Sequence, residues 1–187
     1  MNQSPRHKVF ISFYHDDQSY KNLFARMMEY DIVDKSVEDG DIDENLKVET
    51  IRQKIRDDFI ADATVTVVLI GPATWQRKYV DWEIGSSIRD TRNNSRCGLL
   101  GILLPNHPDF GKVSYRPRLI PERLAANANS KENEDPYAAI FDWKQDANTV
   151  RDWIHRAFVR RNGPPPKNNT THYRYNRSGH HSRGWQN

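Results

Sequence analysis

Thr64-Val-Thr-Val-Val-Leu-Ile-Gly71, followed directly by Pro72-Ala-Thr-Trp-Gln-Arg-Lys-Tyr-Val-Asp-Trp-Glu83-Ile84, decides the fold class. The first segment is a short run of mostly β-branched residues ending in Gly-Pro. An amphipathic strand would alternate, so the unbroken run predicts a strand buried on both faces. In the second segment Val80, Ile84 and Ile88 recur at helical spacing behind Thr74, a suitable N-cap, and predict a helix. A buried strand running straight into a helix is half of a βαβ unit.

The same alternation extends outward in both directions. Upstream, Lys8-Val-Phe-Ile-Ser-Phe13 reads as the first strand, Tyr14-His-Asp-Asp17 as a loop, and residues 19–30 as a helix with a stripe of Tyr20, Leu23, Phe24, Met27 and Met28. The two methionines read as core filler. Asp31-Ile-Val-Asp34 is a short second strand, and residues 35–45 form an acid-rich loop. That loop does not fit an EF-hand: counted from Asp34, Gly40 falls one position too late. A helix over 46–62 follows, carrying Ile51, Ile55 and Phe59. Downstream lie a buried strand over 96–104, a Pro-rich connection from Pro105 to Pro136, a weak strand over 138–141 and a helix over 146–159.

Strands alternating with helices predict a mainly parallel α/β sheet of about five strands with helices on both faces. Ligands of such sheets bind beyond the carboxyl ends of the strands, at the switch point. That rule gathers Phe13 to Asp17, Asp34 to Asp43, Gly71 to Trp75 and the connection after Leu104 around one crevice.

The 187 residues suit one domain with an appendage: a leader over 1–7, the domain over 8–160 and a tail over 161–187. No apolar run reaches the roughly 18–20 residues that span a bilayer. The polar start has no secretory apolar region, and the expected location is cytoplasmic. Cys97 stands alone, so there is no internal disulfide and no Cys-x-x-Cys metal pair; no metal site is expected. At the start of a buried strand it reads as inert core rather than nucleophile.

The net charge of +3 hides an asymmetry. Arg160, Arg161, Lys167, Arg174, Arg177 and Arg183 close the chain without an acid among them, so the rest of the chain is mildly acidic. A nucleic-acid-binding core is not indicated. The tail begins Gly-Pro-Pro-Pro, has no periodic apolar face and is expected to be disordered. Its cations, interleaved with Tyr173, Tyr175 and Trp185, suggest at most weak nucleic-acid contact.

Neither a Gly-x-Gly-x-x-Gly nor a P-loop nor a Gly-x-Ser-x-Gly is present. The informative residue is Glu83, one turn after Tyr79 and one turn before Ser87, with Val80 and Trp82 beside it. Glu is almost never buried without a partner. It reads either as an exposed side chain paired with Arg77, Lys78 or Arg89, or as a partly buried carboxyl on a crevice wall that stabilises a cation.

Val9-Phe-Ile-Ser-Phe-Tyr14 resembles the opening strand of Toll/interleukin-1 receptor (TIR) domains. Val67-Val-Leu-Ile-Gly71, Thr74 and Arg77-Lys-Tyr-Val-Asp-Trp-Glu-Ile84 resemble their third strand and the helix bearing a Trp-Cys-x-x-Glu motif. Tyr79 and Val80 replace the Trp and Cys, and Glu83 matches the acid. The combination is most similar to the bacterial TIR-like group of Thoeris ThsB antiphage proteins, over about residues 8 to 159.

The resemblance implies a flavodoxin-like three-layer fold. In enzymatic members it also implies cleavage of the nicotinamide–ribose bond of NAD+, a substrate rather than a cofactor, and formation of a cyclic ADP-ribose-type messenger that activates a partner effector. Glu83 is the implied catalytic residue, stabilising an oxocarbenium-like transition state. Phe13, Tyr14, Trp75 and Tyr79 are expected at the substrate, with Asp34 and Ser36 on the polar rim. A phage-derived trigger and self-association fit this picture, and no membrane partner is expected. Two alternatives stand beside it: a non-catalytic TIR-like interaction scaffold, motivated by the missing Trp-Cys pair and the large connection after Pro105, and a nucleoside deoxyribosyltransferase-like enzyme.

Overall fold

Five strands, β1 (Val9–Ser12), β2 (Ile32–Val33), β3 (Val65–Ile70), β4 (Gly98–Leu103) and β5 (Ala138–Asp142), form one parallel sheet in the order β2-β1-β3-β4-β5. The computed structural model describes residues 5–28, 32–33, 37, 41–128 and 136–178. The apolar runs of β3 and β4 are buried along their whole length, as expected of strands covered on both faces.

Successive side chains point to opposite faces, so each strand feeds two cores. Val9 and Ile11 of β1, Val65, Val67 and Leu69 of β3 and Leu100 and Ile102 of β4 face one side. There α1 (Gln18–Met28) and α5 (Ala147–Arg160) cover them with Phe24, Met28, Val150, Trp153 and Ile154. Phe10, Val68, Ile70, Leu99 and Leu103 face the other side. That side is covered by α2 (Val48–Lys54), α3 (Lys78–Ser87) and α4 (Glu122–Ala128). The arrangement is the flavodoxin-like α/β fold with a sheet between two helical layers.

Three expectations need correction. Thr74 does not cap α3: it lies in a preceding 3-10 turn, where its hydroxyl accepts from the Gly71 amide at 2.9 Å, and the cap position of α3 is Arg77. The connection after Pro105 is not a bare loop. Asp109, almost fully buried, accepts from Lys112 Nζ, the Arg116 amide and Arg116 Nε, and α4 follows.

The third correction concerns the tail. Residues 167–177 pack against α3 and α4 instead of standing free. The Trp82 indole N–H donates to the Tyr173 carbonyl at 2.8 Å, and the Tyr173 amide donates to Asp81 at 3.0 Å. Arg123 donates to Asn168 and to the Thr170 carbonyl, while Asn127 exchanges bonds with the Lys167 backbone. Tyr173 is buried with Arg177 stacked on its ring at 3.8 Å, so that ring is not open to a nucleic-acid base. Trp185 lies outside the described residues. Among the described residues no helix is long and apolar enough to cross a membrane.

Candidate functional site

Ser12 closes β1 and shares the pleat face of Phe10, the side covered by α3. Glu83, on the inner face of α3, reaches it across the switch point between β1 and β3. The Ser12 hydroxyl donates to Glu83 Oε2 at 2.6 Å, and the Val37 amide donates to Oε1 at 2.9 Å. With 2% exposure, Glu83 is not the surface residue paired with Arg77, Lys78 or Arg89 that its neighbours in sequence allow. Loss of solvation on burial pushes its pKa up to about 7, although the bonds from Ser12 and Val37 work in the opposite direction. Its two donors are neutral, so the carboxyl is poised between charge states near neutral pH. A carboxylate has about four lone-pair sites, and these two bonds use only part of its accepting capacity.

A second buried acid stands at the same end of the sheet. Asp17, 1% exposed, accepts from Asn106 Nδ2 at 2.8 Å, while its Oδ2 has no hydrogen-bond partner among the described residues. Burial raises its pKa. Gly71 closes β3 against this carboxylate, and a Cβ there would collide with it. The ends of β1, β3 and β4 therefore do converge, as the switch-point rule predicts.

The expected aromatic residues divide. Tyr14 is half-buried beside Phe13, and the Arg77 guanidinium lies 3.7 Å over its ring. Phe13 packs against the core beneath α1 and α5. Trp75 does not present a free face: it is 1% exposed, with its indole N–H bonded to the Pro72 carbonyl at 3.1 Å. Tyr79 turns toward the acid-rich loop, where its hydroxyl donates to Glu44 at 2.7 Å and its ring meets Trp82 edge-on. Asp34 and Ser36 lie outside the described residues. Cys97 is buried, its thiol bonded to the Ala63 carbonyl, and burial pushes the thiol up, away from reactivity. Among the described residues no cluster of three His, Cys, Asp or Glu side chains could hold a metal.

Sequence reasoning placed Asp17 at the crevice without giving it a role, and it missed Ser12 and the Val37 amide. A signal for Ser12 was available, because it is the one polar residue inside Val-Phe-Ile-Ser-Phe and a buried hydroxyl needs a partner. Val37 carried no signal, since any non-proline residue offers the same backbone N–H.

No curated protein matches the chain. The family model described as Thoeris protein ThsB, TIR-like domain, matches residues 10–109, more than half of the 187 residues. The matched stretch runs from β1 past β4 and holds Ser12, Asp17, Gly71 and Glu83. Parallel sheet, switch-point carboxyl and family match converge: the chain belongs to the ThsB TIR-like domain family of Thoeris-type antiphage defence.

Proposed function

We propose that this chain is an NAD+-cleaving enzyme of Thoeris-type signalling, releasing nicotinamide and producing a cyclic ADP-ribose-type messenger for a partner effector. The observation that carries this reading is the buried Glu83 carboxyl at the switch point, held by Ser12 and Val37 and pushed up to about 7. Families with TIR-like domains often include enzymes acting on NAD+, which is the context for the chemistry.

In the proposed step the bond between C1′ of the ribose and the nicotinamide nitrogen breaks. Nicotinamide leaves with the bonding electrons and becomes neutral, and positive charge develops on the ribose. Ionised Glu83 faces that charge in a site with little water, where a fixed carboxylate is worth far more than in solution. A nucleophilic atom of the ADP-ribose itself, or water, then takes C1′. Ser12 and the Val37 amide hold the carboxylate in place. Tyr14 offers a ring to the base, and Arg77, whose Nε has no partner among the described residues, offers charge to the pyrophosphate.

The test is incubation of the full chain with NAD+, with and without phage-infected lysate, followed by detection of nicotinamide and cyclic product. Wild type is expected to form both and Glu83→Gln to lose at least about a hundredfold in turnover. The rate should rise with pH through about 7 as the carboxyl ionises. Absence of product in both conditions, or equal product from Glu83→Gln, overturns the proposal.

A further inference from the structure

A cavity of about 570 Å³ opens on the outer side of α3, between the start of α2 and the docked C-terminal segment. Its volume lies within the range of small-molecule sites. Leu46, Ile51 and Trp82 supply an apolar wall, and Lys47, Arg52 and Arg174 supply cations. Lys47 and Arg174 are exposed at its rim and have no salt-bridge partner among the described residues. The Arg52 side chain is mostly buried, with one guanidinium N–H on the Gly85 carbonyl, another on Glu49 and its Nε without a partner among the described residues. The acids at hand are already engaged: Glu44 by Lys78 and Tyr79, Glu49 by Arg52 and Arg89, and Asp81 by Arg123. The concavity is therefore left with uncompensated positive charge beside an apolar wall.

We infer that this cavity is a second ligand site, taking a nucleoside phosphate: its planar base against the apolar wall where half-buried Leu46 and exposed Val48 open it, its phosphates on Lys47, Arg52 and Arg174. A small amphipathic anion matches both halves of the lining, whereas an inorganic ion would leave the apolar wall unused. The inference does not rest on the reaction proposed for Glu83, because α3 separates the two places: Glu83 faces the sheet and Trp82 faces the docked segment. Occupancy here would also hold residues 171–174 down, since they form one wall.

The experiment is calorimetric titration of the full chain with ADP, inorganic pyrophosphate and adenosine, with tryptophan fluorescence as a second readout. ADP is expected to bind saturably, more tightly than either fragment, and less tightly as salt rises. The double variant Lys47→Glu/Arg174→Glu, both exposed and expected to fold, should weaken ADP about tenfold or more. Tyr14→Ala and Arg77→Ala should leave this binding unchanged. No saturable ADP binding at millimolar concentration overturns the inference, as does indifference to the double charge reversal. Binding lost with Tyr14→Ala and Arg77→Ala instead would assign ADP to the Glu83 crevice.

Discussion

Asp81 and Glu83 stand two residues apart on α3 and are 3% and 2% exposed, yet they face opposite ways into opposite company. Asp81 looks outward to fully buried Arg123, whose Nε donates at 2.8 Å, to the Tyr173 amide and to His172 at 3.3 Å. Glu83 looks inward to a hydroxyl and a backbone amide and meets no cation among the described residues. One carboxylate is charge-compensated and fastens a chain segment, whereas the other retains an unmatched cost of ionisation that a developing cation on a substrate would relieve. Asp109 repeats the first pattern in the connection after β4. Burial works against its ionisation, but Arg116 and Lys112 outweigh it and hold the carboxyl below the ordinary range. Burial alone does not set the pKa of an acid; burial without a counter-charge raises it.

The strongest blow to this contrast would come from Arg123→Ala. It leaves Asp81 buried without its cation and should cost about 3–5 kcal/mol in urea unfolding of the full chain, with faster proteolysis in residues 167–177. A cost below about 1 kcal/mol, the range of surface pairs, would mean that Asp81 is not a structural tie at all.

Glu83→Gln tests the other side through pH. A carboxyl whose folded pKa is raised contributes most to stability below its unfolded value, and that contribution falls as pH rises toward the folded value. Between the ordinary 4.5 and about 7, wild type should therefore lose stability relative to Glu83→Gln. At pH 8 the glutamine variant should be the more stable by about 3 kcal/mol, less any weakening of the two hydrogen bonds. Parallel stability curves for the two proteins across this window would remove the claim of an uncompensated acid.

Ser12→Ala sharpens the picture at smaller scale. It deletes one of the two donors to Glu83 and should cost about 1–2 kcal/mol above pH 7. It should also move the ionisation of Glu83 further upward, seen as an alkaline shift in the pH–rate profile of the proposed cleavage. An unshifted profile would show that Ser12 does not hold the ionised form.

Much of the scaffold was legible because two-sided burial writes itself as unbroken apolar runs, as in Val65–Ile70 and Gly98–Leu103. The edge of the sheet was fainter: β2 has only two residues and β5 is only partly buried, so neither needs a long apolar signature. The seven-residue α4 was hidden in a proline-rich stretch, too short to show a helical period. The docked tail was misread for a physical reason. Its attachment runs through Trp82, Asp81, Arg123 and Asn127, which are polar contacts with no periodicity to read.

Glu83 marks the division. Its residue type, its place on the helix after a buried strand and its motif spacing are all in the chain, and they single it out. Its partners lie 71 and 46 positions away, and its pKa depends on whether a cation or a hydroxyl waits there. The sequence by itself determined a parallel α/β scaffold and named one acid worth testing, because local periodicity and burial pattern are short-range properties. Only the tertiary structure decided that Asp81 meets a cation and that Glu83 meets none among the described residues, because charge company is set by elements that meet through folding.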